Sequence, residues 1–167
     1  FESLFEAFRR IAHTEVGALS MYTLLLASPS FAQSVGARSD LDKLILPLLR
    51  SLYFSTTIAH SDLMVRQRST QHSTPTQGSQ PFRSQSQLYV ILILLLISSQ
   101  DPSFGRDSFR RVRVSMKAVV WYKERHIKEA SLGSMILLVL LRAISFNLNR
   151  LHDEFLLSNC CAVLLNL

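Results

Sequence analysis

The chain has 167 residues, 48% of them hydrophobic, and a formal net charge of +6. This is enough apolar material for one domain with a sizeable core, and too much for a chain disordered throughout. Only five glycines, five prolines and two adjacent cysteines are present, which argues against a turn-rich β architecture and a disulfide-stapled scaffold, while the leucine content favours helix.

Residues 1–27 read as one helix. Phe1, Leu4, Phe5, Phe8, Ile11, Ala12, Val16, Leu19, Leu25 and Leu26 sweep one broad face, and Ser28-Pro29-Ser30 ends it. No secretory signal is visible, because Phe1 to Arg10 alternates acidic, aromatic and basic residues. Asp40 is placed to cap the next helix, whose inward face is Leu41, Leu44, Ile45, Leu48, Leu49 and Leu52. Pro47 should kink or split that helix before it fades near residues 60–63. Residues 66–87 are of another kind, rich in Ser, Thr and Gln, and are expected to form a flexible polar loop.

Leu88 to Ile97 is an apolar run of ten residues. As a helix it is about 15 Å long, half of the roughly 30 Å hydrocarbon core of a bilayer. It reads as a helix buried in protein, with a buried parallel strand as the competitor. A further helix is expected from Asp107 or Ser108 to about Trp121, with Phe109, Val112, Met116, Val119 and Val120 inward. Ser131 to Leu151 follows, interrupted by Arg142; Arg142, Ser145, Asn149 and His152 share one narrow face, which reads as its solvent stripe. No transmembrane span is expected in either run. The last helix starts near Asp153 and carries Phe155, Leu156, Cys160, Val163, Leu164 and Leu167. Its leucines cover more than one side, so a further helical layer is expected to cover them.

The fold class expected is all-α: a helical-pair solenoid segment of the ARM/HEAT kind, or a compact helical bundle. Residues 1–167 form one helical region. The start at Phe1 and the apolar end at Leu167 suggest a piece of something longer.

Chemistry-bearing patterns are scarce. There is no His-Glu-x-x-His, no Cys-x-x-Cys and no Gly-x-x-x-x-Gly-Lys. His13 and Glu15 fall on different helix faces, and His152, Asp153 and Glu154 diverge around a helix. His152 and Cys160 would lie about 12 Å apart along a helix, too far for a thiol–imidazole pair, so Cys160 and Cys161 read as buried structural thiols. His60-Ser61-Asp62 holds the residue types of a hydrolase triad, but such triads are assembled in space and not by adjacency. No catalytic residue, cofactor or metal ligand is expected. Positive charge is concentrated instead: Arg106, Arg110, Arg111, Arg113, Lys117, Lys123, Arg125 and Lys128 are met only by Asp107 and Glu124. Arg110, Arg111, Arg113 and Lys117 are the candidate contacts to an anionic surface, or else a solvated helix face.

The run closing on Ser99-Gln100-Asp101-Pro102, then Trp121-Tyr122-Lys123-Glu124-Arg125, Ser131-Leu132-Gly133-Ser134, Arg142, Asn147 and the block from His152 to Asn166 resemble the dymeclin family. The resemblance is clear over about residues 88–167 and looser over 38–60. The chain departs from the family pattern in 66–87. The resemblance implies a largely helical, non-enzymatic scaffold in the cytoplasm, peripheral to the cytosolic face of the Golgi apparatus and acting in Golgi organisation and secretory vesicle trafficking. It implies protein partners of that machinery, contact with the membrane surface and, in some members, an N-terminal glycine that accepts myristate. A helical adaptor binding RNA or another anionic partner through residues 105–128 is the alternative; nucleic acid is not the favoured partner.

Overall fold

The computed structural model describes residues 1–66, 85–100, 106–117, 119–123 and 127–167. Among these the chain is predominantly helical, with one small two-stranded sheet. The polar segment expected over 66–87 lies, from 67 to 84, outside the described residues. At its edges Arg66 closes one helix and Gln85 opens the next.

The single helix expected over 1–27 is two, α1 (Glu2–Ile11) and α2 (Glu15–Ala27). Thr14 makes the break. Its hydroxyl oxygen accepts from the Gly17 N–H at 3.1 Å and donates to the Ile11 carbonyl at 2.7 Å, so one side chain serves both helix ends. Gly17 is required by close approach: a Cβ there would lie 2.0 Å from the Ile11 carbonyl oxygen. The exposed bend carbonyl of His13 accepts from Ser51 Oγ at 3.3 Å and from Gln87 Nε2 at 2.5 Å, on two other helices. The break re-phases the apolar face. Phe5, Phe8, Ala12, Ala18, Met21 and Leu25 are buried, while Phe1, Ile11, Val16, Leu19 and Leu26 are exposed, contrary to expectation.

Ser28 ends α2 and starts a helix not expected from the sequence, α3 (Pro29–Gly36). Its N–H bonds the Leu24 carbonyl, its hydroxyl caps the Phe31 N–H at 3.3 Å, and Pro29 takes the first helical position. Helix α4 (Asp42–Arg66) buries Leu41 at its start and then Leu44, Ile45, Leu48, Leu49 and Leu52, as expected. Pro47 does not split it. The bond a prolyl nitrogen cannot make would have gone to Lys43, near the helix start, so a single late-forming bond is lost and not one from the middle of a long ladder. Asp40 is not a simple backbone cap; its carboxylate is taken by Arg38 and Lys43.

Helix α5 (Gln85–Gln100) is the buried helix expected. It lies against α2, α4 and α8, and between Gln87 and Ser99 no side chain is exposed. Ser98 donates to the Leu94 carbonyl at 2.7 Å, so its buried hydroxyl is satisfied within the helix.

The helix expected from 107 to 121 is a correction. Helix α6 stops after Arg106–Arg111, and β1 (Arg113–Ser115) pairs antiparallel with β2 (Glu129–Ser131), with Val114 opposite Ala130. Met116 N–H to Lys128 O and Leu132 N–H to Val112 O extend the pairing. The stretch Arg111-Val112-Arg113-Val114-Ser115 alternates polar and β-branched residues, the period of a strand with one buried face. Val114 and Ala130 are buried, Arg113 and Ser115 exposed, and Val120, expected inward, is exposed. The fold is therefore not strictly all-α.

Ser131 caps α7 (Leu132–Phe146), which packs on α4, α6 and α8 (Glu154–Asn166). A π-helical turn, Asn147–Leu151, follows, and His152 takes the left-handed conformation at φ 54° that reverses the chain. Buried Asn147 holds this corner: Nδ2 donates to the Asp153 carbonyl at 2.9 Å and Oδ1 accepts the Asp153 N–H at 3.0 Å. The Asp153 side chain caps Leu156 and accepts from the Tyr89 hydroxyl of α5. The 20-residue stretch Leu132–Leu151 is long and apolar enough to cross a membrane, and 39% of it is buried in this fold. Arg142 lies within it. Its guanidinium sits 4.6 Å over the Tyr53 ring and its Nε–H donates to Thr56 at 3.2 Å, a protein-satisfied charge. Of the solvent stripe expected on α7, Ser145, Asn149 and His152 are exposed and Arg142 is turned inward; Leu137, Leu141 and Leu148 are exposed as well.

The bend at residues 12–14 is testable. Gly17→Ala should destabilise the chain by about 1–3 kcal/mol or more, because the new methyl meets backbone. Thr14→Ala should cost about 1 kcal/mol through the lost cap. Urea unfolding followed by far-UV circular dichroism measures both. A Gly17→Ala chain as stable as the original would mean that α1 and α2 run on as one helix.

Candidate functional site

The residues singled out by charge are divided between the end of a helix and a hairpin, and are not gathered on one helix face. Arg110 and Arg111 are the last residues of α6, Arg113 is the first of β1, and Lys117 lies in the turn beyond it; all four are exposed. The inward partners on this stretch are Phe109, Val114 and, partly, Val112, which pin it to α7. Exposed Lys123 and Lys128 belong to the same region. On β2 the exposed Glu129 sits opposite Ser115, one carboxylate among these cations. The result is a group of exposed cations on a segment whose apolar residues Phe109 and Val114 are in the core.

A second basic feature was not visible in the sequence. Arg9, Arg10 and His13 of α1 and its bend face Arg50 and Ser51 of α4 across a pocket of about 460 Å³, with Trp121 on its wall. Leu46 and Pro47 add an apolar side. Arg9 reaches Glu6 at 3.0 Å, while Arg10 and Arg50 form no salt bridge among the described residues. The two halves are about forty positions apart in the sequence, so no local pattern announces them.

Arg38 shows the opposite treatment of a cation. It bonds Glu2 at 2.5 and 3.1 Å and Asp40 at 2.7 and 3.2 Å, and lies 3.9 Å over the Phe5 ring. Its hydrogen bonds bring the Asp40 carboxyl down to about 2, with Lys43 helping, and lower that of Glu2. This cluster joins α1 to the α3–α4 turn, and its cation is already fully committed.

Cys160 is buried and its thiol is pushed up to about 12, first by burial and then by Cys161, so it stays protonated at neutral pH. Cys161 is exposed, against the expectation that both thiols are buried. His60-Ser61-Asp62 is part of α4, but the side chains fall outside the described residues. Among the described residues no three His, Cys, Asp or Glu side chains are grouped to hold a metal ion. Of the polar residues set in apolar surroundings, Arg142 and Asn147 bridge neighbouring elements, whereas Asn159 bonds only the Phe155 carbonyl of its own helix.

The dymeclin family model, described as Dyggve-Melchior-Clausen syndrome protein, matches residues 1–167, a longer span than the 88–167 that carries the clear resemblance. Dymeclin of Xenopus laevis is 34% identical over all 167 residues, and that of Mus musculus 32% over the same span. In each case the match covers 100% of this chain and 21% of the relative. Dymeclin of Dictyostelium discoideum is 30% identical over 166 residues, 99% of this chain and 15% of its own length. The chain thus spans about a fifth of the length of the animal relatives. No solved structure matches it.

The Asp40 cluster gives a pH dependence. A free aspartate ionises near 3.9. The folded carboxyl is lowered to about 2, so its stabilising effect is complete above about pH 5 and is lost as pH falls toward 2. Asp40→Asn should lower the thermal midpoint at pH 7 and flatten its decline between pH 5 and 2. Parallel declines in the two proteins would show that the cluster contributes nothing to acid sensitivity.

Proposed function

The chain belongs to the dymeclin family, matched from end to end, and from that premise we propose that it is part of a non-enzymatic helical scaffold at the cytosolic face of the Golgi apparatus. Its work there is Golgi organisation and secretory vesicle trafficking, through protein partners of that machinery and peripheral contact with the membrane surface. The single observation carrying this reading is the match over residues 1–167.

Within that scaffold the helices are read as part of a longer stack of helical pairs. The support is the apolar surface left on two sides: Val16, Leu19 and Leu26 on α2, and Leu137, Leu141, Leu148, Phe155 and Leu165 on α7, the π turn and α8. A helical layer ordinarily covers such residues with the next layer. Arg110, Arg111, Arg113 and Lys117 are the proposed contacts to anionic lipid, because all four are exposed within eight residues of chain and basic clusters are attracted to an anionic surface.

Full-length protein tagged for microscopy should coincide with a cis-Golgi marker. A nuclear or nucleolar signal would overturn the reading in favour of the RNA-binding adaptor. In a second measurement, Arg110, Arg111 and Arg113 are changed together to Glu. Circular dichroism should be unchanged, and flotation with anionic liposomes should fall in a salt-sensitive way, since exposed charges are screened within about 8 Å at physiological salt. Equal binding of both proteins to neutral and anionic vesicles would reduce the hairpin to a solvated edge.

A further inference from the structure

We propose that the pocket between α1 and α4 is a binding site for a small, multiply phosphorylated anion of headgroup size. Its lining is a set of donors of one sign. Arg9, Arg10 and Arg50 bring three guanidinium groups to one concavity, His13 adds an imidazole, and none of the described residues lining it is a carboxylate. A guanidinium carries five N–H donors in a planar fork that matches two phosphate oxygens at once. Arg9 shares one of its nitrogens with Glu6, and Arg10 and Arg50 have no acid among the described residues. Arg10 and Arg50, like charges facing one concavity, repel one another, and a polyanion seated between them removes that repulsion and gains paired hydrogen bonds at once.

The frame is preorganised. The His13 carbonyl is held by Ser51 and Gln87, which fixes the bend that presents Arg9, Arg10 and His13 to α4. Trp121 is held 5.4 Å from the Tyr53 ring, and Tyr53 lies beneath Arg142. The volume of about 460 Å³ lies in the range of small-molecule sites and is far from the open stripe that a nucleic acid strand follows. Among the described lining residues Trp121 is the one large aromatic, so they offer no succession of stacking platforms. Three cations suit a bis- or trisphosphate better than one carboxylate. The site is separate from the basic hairpin, and a soluble phosphate ligand would satisfy it with no attachment to a membrane.

The test uses full-length protein at physiological salt, with inositol trisphosphate as the soluble probe and phosphatidylcholine vesicles containing phosphatidylinositol bisphosphate as the membrane probe. Titration calorimetry should detect trisphosphate binding. Arg10→Gln and Arg50→Gln should each weaken it about tenfold or more, as expected for a lost charge-assisted bond, with thermal midpoints unchanged. Arg50→Lys, which keeps the charge and loses the fork, should fall between. The Arg110, Arg111, Arg113 triple variant should bind trisphosphate normally. Vesicle recruitment lost in Arg10→Gln and Arg50→Gln would identify a lipid headgroup as the source; trisphosphate binding without pocket-dependent recruitment would identify a soluble phosphate. The proposal is overturned if neither probe binds, if binding survives both glutamine variants, or if the pocket variants lose only single-stranded RNA binding.

Discussion

Helix α5 has no side to give to water, and the rest of the fold is arranged around that constraint. From Gln87 to Ser99 every side chain is buried or half-buried, with Ile91, Leu92 and Leu94 fully enclosed. Each fully buried Leu or Ile is worth roughly 1.5–3 kcal/mol relative to exposure, so a helix apolar all round must be surrounded. Helices α2, α4 and α8 supply the enclosure. The two polar residues at its edges are used as fasteners. Gln87 reaches the His13 carbonyl, and Ser99 accepts from Asn166 at the end of α8 at 3.0 Å.

Surrounding one helix with others requires sharp turns, and a turn leaves helix-end backbone groups without their intrahelical partners. The structure closes each with a short polar side chain. Thr14 serves two helix ends, Ser28 ends one helix and caps another, and Asn147 bonds both the N–H and the carbonyl of Asp153. Asp153 then caps α8 and meets Tyr89, so the last corner is tied to the central helix. These bonds are worth about 0.5–1.5 kcal/mol each, and together they fix the direction in which the chain leaves each corner. The polar residues scattered through the apolar runs are thereby explained as corner pieces, with Asn159 the exception.

The cations are sorted into three environments. Arg38 is consumed by Glu2, Asp40 and the Phe5 ring, and Arg142 by Tyr53 and Thr56; both hold elements together. The cations at the end of α6 and on the hairpin are exposed. Arg10 and Arg50 share a concave pocket without an acid among the described residues. The last two groups differ in shape, one lying on the open surface and the other lining a concavity.

Much of the helical core could be read from residue order alone. The apolar content of α4, α5, α7 and α8 is high enough that only burial accommodates it, and Asp153 stands where a cap should. The length of the Leu88–Ile97 run excluded a membrane span there because helix rise is a constant of the backbone. Three features were misread although their local signals exist. Thr14 and Gly17 mark the break in the first helix, Ser28-Pro29 is a start as well as a stop, and the alternation from Arg111 to Ser115 is that of a strand. In each case a longer apolar periodicity outweighed a short polar signal. Other features had no local signal at all. That Val16 and Leu19 face outward follows from the angle of a bend, and that Arg9 and Arg10 meet Arg50 follows from the packing of α1 on α4. Residue order determined which segments must be buried, because transfer of apolar surface from water depends on composition. Which charges meet, and around what space, was decided only by tertiary structure, because those distances are set by how helices far apart in sequence are packed together.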